Sequence, residues 1–339
     1  MTDRGKIDSQ VFAEVIAPKL GTQRDDVVAG PTHGVDFGVL SVGGQAVAIA
    51  TDPISILPEL GFERSGRLAL DIVLTDVAVS GLAPTHFAVT LTLPTAMTDA
   101  QLAATWDGIH EHARELGVSI VGGHTARYEG IDYSWVGGGT GLGVGEHDDV
   151  IRPDGARPGD DIVVTTGPAA EVAGLFATLF PDALDLPAET VATAQERIED
   201  ILAVADARTI TDACAPTALH DATEGGVVGG LTEMATGAGV VFDVERSAAP
   251  LRPGVEAVCR AVDLDPWEVT SAGTLLLTAP PDEARRAVEA LEATGTPAAV
   301  VGTVREPDGE APGLLLDGKR VEPPASDPAW DAMAALWDT

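Results

Sequence analysis

The residues in this chain whose types and spacing suggest chemistry are aspartates set among apolar residues or glycines. Asp71 and Asp76 lie within Leu68 to Pro84, LALDIVLTDVAVSGLAP, a helix-like run that is apolar almost all round and is therefore expected to be buried. Burying an unpaired carboxylate is costly or forces it to protonate. Arg67 stands one turn before Asp71, at a spacing that allows an ion pair. Asp76 has no cation three or four residues away on either side. It needs a backbone donor, a distant partner or a bound cation. Taken alone, it is either an acid hydrogen-bonded in the core or one of several carboxylates converging on a metal.

Three other stretches bear on that choice. Val35 to Thr51 reads as a hairpin, VDFGVLSV, a Gly43-Gly44 turn and QAVAIAT. A two-residue turn pairs Val42 with Gln45 and sets Asp36 opposite Thr51, beside Asp52; one more turn residue would set Asp36 opposite Asp52. Two acids at one end of a hairpin repel unless a cation sits between them, or else both are simply solvated. Val118 to Val121 reads as a short buried strand ending in Gly122-Gly123-His124-Thr125, where backbone N–H groups can face an anion. Ala218 to Met234, ALHDATEGGVVGGLTEM, is a strand end, a loop and an apolar helix. Its amides and positive helix end suit a phosphate, and Asp221 adds an acid; an ordinary joint with glycines for tight packing is the alternative. The run Gly137 to Gly145, GGGTGLGVG, lacks the following helix that a dinucleotide fingerprint requires. It fits a strand where backbones approach closely.

The 339 residues suffice for two domains with real cores. Basic residues number 20 against 53 acidic, a net charge of −33. This disfavours nucleic acid and anionic membrane as partners, since both need cationic surface. The acid is spread along the chain, the pattern of a salt-adapted, halophile-type surface, so only carboxylates in apolar or glycine-rich settings carry weight. Cys214 and Cys259 fit no metal or disulfide spacing and are expected to be buried small residues. No apolar stretch has the length of a membrane span and no basic-then-apolar leader is present, so a cytoplasmic protein is expected.

The elements that must position these acids follow in order. Ile7 to Leu20 has helical periodicity. After the hairpin and the Leu68 helix come a strand from Thr85 to Leu93 and a helix from Thr98 to Leu116. The turn-rich Asp154 to Asp161 marks a boundary. Beyond it, strands are expected at Ile162–Thr165, Val240–Val244, Thr274–Thr278 and Ala298–Val304. Helices are expected at Pro168–Phe180, Pro187–Ala205, Val255–Val262, Pro281–Ala293 and from Pro328.

Four of these stretches, Thr51-Asp52-Pro53, LTDVAVSGLAP, VGGHT and HDATEGG, stand in the order found in the aminoimidazole ribonucleotide (AIR) synthase-like, or PurM-like, superfamily of ATP-binding enzymes. GARPGDDIVVT and DPWEVTSAGTLLLTA most resemble its HypE branch of hydrogenase maturation factors and the related archaeal proteins. The resemblance implies an α/β N-terminal domain, residues 1–153, whose mixed sheet pairs with a second subunit in a homodimer. It implies an α+β C-terminal domain, residues 154–339. It implies ATP and Mg²⁺ as cofactors, with Asp36, Asp52 and Asp76 on the metal. Thr51, Gly122, Gly123 and Thr125 would line the nucleotide, Gly225 and Gly226 would close the site from the second domain, and Asp76, His124 and Asp221 would be catalytic. A hard ion suits that carboxylate lining.

The implied reaction is phosphoryl transfer to an oxygen, of amide or carboxamide type, on a small molecule or partner protein. The sequence departs from the family in three ways. His124 replaces the usual acid, no cysteine follows Cys259 for a HypE-type reaction on the chain's own tail, and DPISILPELGFERSG lacks the thiamine-monophosphate kinase and AIR synthase patterns. Two alternatives stay open: a non-catalytic nucleotide-binding paralogue acting in cofactor or metalloenzyme assembly, and a thiamine-monophosphate-kinase-like small-molecule kinase.

Overall fold

The computed structural model describes residues 5–7 and 9–337. The chain divides into two units: an N-terminal one of Gln23–Pro31 and Asp36–Val150, and a C-terminal one that adds the residues up to Thr22 and Thr32–Val35 to everything from Ile151. The first helix, α1 (Ser9–Val11), runs into a π-helical turn, Phe12–Ile16, and a 3-10 turn, Ala17–Lys19. The expected Ile7–Leu20 helix is thus helical but irregular, because Pro18 removes a donor and clashes with the preceding turn.

The N-terminal unit contains β1 (Val27–Ala29), β2 (Gly38–Val42), β3 (Gln45–Ser55), α2 (Phe62–Ala78), β4 (Pro84–Pro94), α3 (Asp99–Leu116), β5 (Ser119–Tyr128) and β6 (Trp135–Gly145). Its sheet has the order β1-β2-β3-β6-β4-β5 and is mixed: β4 and β5 are parallel and all other neighbours antiparallel. The expected Val42–Gln45 pair closes the first hairpin. One face is buried, through Ala46, Ala48, Ala50 and Ile54 of β3 and Phe87, Val89, Leu91 and Leu93 of β4. Helix α2 packs on β3 and β6, and the glycines of β6 let it in. A Cβ at Gly139 would stand 2.7 Å from the Phe87 ring and 3.1 Å from Val73; one at Gly141 would stand 2.9 Å from Val77 and 3.0 Å from Leu74. Helix α3, started by a Thr98–Gln101 capping box, crosses α2 where Gly66 and Gly108 leave no room for a side chain.

The C-terminal unit continues with β7 (Asp161–Thr165), α4 (Ala170–Leu179), α5 (Ala188–Gln195), α6 (Val204–Ala213), β8 (Ala218–Asp221), α7 (Gly226–Ala238), β9 (Val241–Val244), α8 (Val255–Ala261), β10 (Leu275–Ala279), α9 (Pro281–Thr294), β11 (Ala298–Arg305), β12 (Gly313–Leu316), β13 (Lys319–Val321) and α10 (Pro328–Trp337). The sheet order is β13-β12-β9-β11-β7-β10-β8, the α+β arrangement expected. Ile162, Val164, Leu231, Met234, Phe242 and Leu276 fill one core cluster. Phe176, Val191, Val258, Val269 and Ala329 fill a second, among the helices.

Three expectations need correction. Pro187–Ala205 is not one helix: α5 gives way to a 3-10 stretch, Glu196–Ile201, which lies so close to α4 that a Cβ on Gly174 would be 2.7 Å from the Ile198 nitrogen. The β12–β13 hairpin was not anticipated, although its Asp317-Gly318 turn, with φ of 52° and 71°, is a strong hairpin signal. Cys259 is buried as expected, but Cys214 is only half-buried. Among the described residues no helix is long and apolar enough to cross a membrane.

Candidate functional site

In the N-terminal unit the acids are sorted by the sheet's two faces. Directly paired residues of neighbouring strands share a face. Asp52 pairs with Gly139, whose missing side chain points at Val73 of α2. Asp52 therefore continues the inward column Ala46, Ala48, Ala50, and is the one acid in it. Asp76 is buried on α2, 9% exposed, beside Val77 and one turn beyond Val73, the residues that press on Gly141 and Gly139. Asp52 and Asp76 thus both belong to the layer between α2 and the sheet. Thr51 belongs to the opposite face, where its hydroxyl is hydrogen-bonded to that of Thr140 at 3.0 Å. Asp36 is half-buried. The ladder pairing expected between Asp36 and Thr51 is not formed: β2 begins at Gly38, paired with Ile49, and β3 runs on with β6 as its partner.

Asp71 is a correction. Its partner is not Arg67 but His112, reached across the α2–α3 contact with Nε2 2.7 Å from Oδ2; the Thr75 hydroxyl also donates to the Asp71 carbonyl oxygen at 2.9 Å. Arg67 lies toward solvent and pairs with Glu115 at 3.1 Å. The other ring nitrogen of His112 bonds Glu115 at 3.1 Å. That bond first, and the Arg67 charge after it, hold the Glu115 carboxyl below its ordinary range against some desolvation. Asp71 is a tie between helices.

The Gly122-Gly123-His124-Thr125 stretch does not end a short buried strand. It lies inside β5, which runs on to Tyr128, is exposed over most of its length and forms an edge of the sheet. Gly123 and Thr125 pair with the inward residues Val89 and Leu91, whereas Gly122 and His124 pair with Ala88 and Thr90 of the other face. There His124 Nε2 is 3.1 Å from the Tyr128 hydroxyl. An edge strand leaves alternate N–H groups without a sheet partner, a second way to offer amides to an anion.

In the C-terminal unit, Asp221 ends β8 and is buried. Burial pushes its carboxyl up, but the bond and charge of His220, with the charge of Lys6, outweigh this and hold it below the ordinary range. His220 Nδ1 is 3.5 Å from Asp221 and its Nε2 is 3.2 Å from Glu233. Gly225 caps α7 in the left-handed region, with φ of 82°, and Gly226 follows at 64°. Lys6 was missed in the sequence: its backbone N–H donates to Glu224 at 2.7 Å and its ammonium to Thr223 at 3.1 Å. A clue was its rarity, one of three lysines in the chain.

The family model of the AIR synthase related protein N-terminal domain matches residues 34–144, and that of the C-terminal domain matches residues 157–313. The chain is 31% identical over 267 residues to the carbamoyl dehydratase HypE of Azotobacter vinelandii, covering 76% of this chain and 75% of that protein. It is 29% identical over 355 residues to the selenide, water dikinase of a Geobacter species, strain M21, covering 92% and 99%. In structure it is similar to the hydrogenase maturation protein HypE in complex with ATP, with a TM-score of 0.65, 21% identity and coverage of 95% and 97%. With both halves matched by the two domains of one family, and in the same order, this chain belongs to the AIR synthase-related, PurM-like family.

Proposed function

We propose that this protein binds ATP with Mg²⁺ and transfers a phosphoryl group to an oxygen, of amide or carboxamide type, on a small molecule or partner protein. The observation that carries this reading is Asp52, the one acid in an inward column of alanines, in the same α2–sheet layer as the buried Asp76. Oxygen donors of this kind fit a hard cation. Asp52 and Asp76 would hold the metal, with Asp36 assisting; once bound, it would neutralise charge on the phosphates, which is most of what phosphoryl transfer asks of a protein. Gly122, Gly123 and Thr125 offer edge-strand amides and a hydroxyl, while Thr51 and His124 belong to the other face. Asp221 would supply an acid, and Gly225 and Gly226, whose own N–H groups are donated to Asp327 and the Thr223 carbonyl, would close the site as the turn that starts α7. Residues 1–153 would form the metal- and nucleotide-binding domain and 154–339 the second. The HypE structure with ATP and the carbamoyl dehydratase and dikinase relatives support the class of reaction. The sheet face that α2 leaves uncovered, with the open edge of β5 and exposed Val121 and Tyr128, supports a homodimer, and the cytoplasm is the expected compartment.

Calorimetry at molar salt tests the reading. MgATP should bind the wild type, and Asp76→Asn should abolish Mg²⁺-dependent binding while the melting temperature stays close to that of the wild type. Unchanged affinity in that variant would remove Asp76 from the site. ADP release across amide and phosphate metabolites then separates an enzyme from a paralogue that only binds.

A further inference from the structure

Behind Asp221, within the C-terminal unit, His220, Glu233 and His33 stand in a row. His220 precedes Asp221 on β8, pairs with Leu276 of β10 and is 3% exposed. Its Nε2 is 3.2 Å from Glu233 Oε2 on α7, and Glu233 Oε1 is 3.8 Å from His33 Nε2. Glycines bring these groups together. A Cβ on Gly230 of α7 would come 2.6 Å from the Leu276 side chain and 3.8 Å from the His220 ring, and one on Gly34 would come 3.1 Å from the Glu233 Cβ. Burial pushes the Glu233 carboxyl up, but the bond and charge of His220, then the charges of Lys6 and His33, outweigh it and hold the group below its ordinary range. Glu233 is therefore an ionised acceptor held between two imidazoles.

An imidazole anchored at one ring nitrogen has the other fixed in direction. With Nε2 on Glu233, Nδ1 of His220 is turned to Asp221 Oδ1 at 3.5 Å, too long for a full hydrogen bond. Among the described residues that oxygen is buried without a hydrogen-bond partner, on a residue only 4% exposed. A buried carboxylate oxygen left open is costly unless a ligand completes it. We propose that Glu233 is a positioning residue: through His220 it holds the Asp221 carboxylate in place, with Oδ1 open to the O–H or N–H of the phosphoryl acceptor. The inference rests on the reading of Asp221 as an acid of the phosphoryl-transfer site.

The test uses the full chain at molar salt. It follows MgATP binding by calorimetry, ADP release on an acceptor from the screen of amide and phosphate metabolites, and melting in parallel. A wild type that does not bind MgATP sinks the proposed function and this inference together. Binding without ADP release on any acceptor leaves the binding paralogue and overturns the inference. Given turnover, Glu233→Ala should lower kcat about tenfold, the loss of one hydrogen-bond partner of a buried group, and leave the Kd for MgATP unchanged. Glu233→Gln, which keeps an acceptor oxygen for His220, should lower kcat less and serves if the alanine variant does not fold. Val258→Ala, in the core cluster among the helices, should lower the melting temperature and leave kcat unchanged. A Glu233→Ala or Glu233→Gln protein that turns over like the wild type, whatever its melting temperature, overturns the positioning role and leaves the proposed function standing. So does a Val258→Ala protein as slow as Glu233→Ala, or a Glu233→Ala protein whose Kd for MgATP rises as far as its kcat falls.

Discussion

The two sheets solve burial in opposite ways. In the C-terminal unit β8 and β10 are buried at every position and β7 at all but its first, so both faces are covered and the sequence runs apolar without alternation, as in LLLTA. In the N-terminal unit β3 and β4 alternate, because helices cover one face only. The two-sided sheet fills its interior with Leu276, Met234 and Phe242. The one-sided sheet meets its helix by deleting side chains at Gly139, Gly141 and Gly143. The difference teaches where an acid is informative. In an alternating strand an inward aspartate such as Asp52 interrupts a register, whereas in the two-sided sheet Asp161 and Asp221 stand at strand ends, where acids are ordinary.

Opposite packing predicts opposite sensitivities, and this is where the largest effects are expected. Gly141→Val inserts branches where Val77 and Leu74 already stand 2.9 and 3.0 Å from a Cβ; it should cost about 3 kcal/mol or more by overpacking and strain. Leu276→Ala, in the filled core, should cost about 3 kcal/mol by leaving a cavity. Denaturant unfolding at constant high salt measures both. A neutral Gly141→Val would mean that α2 does not sit on β6 through its glycines, and the contrast between the sheets would collapse.

A comparable loss is expected from the buried pair in the N-terminal unit. His112→Ala leaves Asp71, 1% exposed, without its imidazole partner, and depriving a buried polar group of a hydrogen-bond partner costs about 1–3 kcal/mol. Replacing both, with Asp71→Asn added, should cost clearly less than the sum of the single changes, because both substitutions break the same contact. Strict additivity would show that the 2.7 Å contact carries no coupling.

His112 also marks the limit of what was legible. Regular elements were readable where a period ran long enough, as in α3, α9 and β4, and so were the acids in apolar settings. Partners across the fold were not. Arg67 sits at the right spacing for Asp71, but each finds its partner on α3 instead: the buried Asp71 meets His112, and Arg67, nearer solvent, meets Glu115. The end assigned to the strand before Gly122 failed for a related reason: β5 continues because β4 lies beside it as far as Pro94, a neighbour that local sequence does not reveal. Face assignment was likewise hidden. Thr51 and Asp52 are adjacent in the chain, yet pairing to β6 sends them to opposite sides of the sheet.

The subtlest test concerns how the C-terminal unit's acids respond to acid, and here neighbours should differ in sign. Asp221 is held below its ordinary range, so its contribution is fully present above the unfolded value of about 3.9 and is lost as pH falls from there through the lower folded value. Asp327 is raised, first by burial, with its backbone bonds only partly offsetting and Glu224 adding to the shift. Glu171 is raised too, again by burial first, despite its bonds to Thr270 and Ala272. Those two carboxyls take up protons more readily folded than unfolded, so the strain they impose at neutral pH is relieved as pH falls through their folded values. Melting curves in EDTA across the acid range should therefore fall less steeply below about pH 4 for Asp221→Asn than for the wild type, since one proton-linked loss is gone. For Glu171→Gln the difference should lie higher, between the unfolded value of about 4.3 and the raised folded value, where the variant lacks the gain that the wild type makes as pH falls. An Asp221→Asn protein that differed from the wild type in that same upper window and in the same sense would mean that burial alone governs these carboxyls and that His220 and Lys6 do nothing for Asp221.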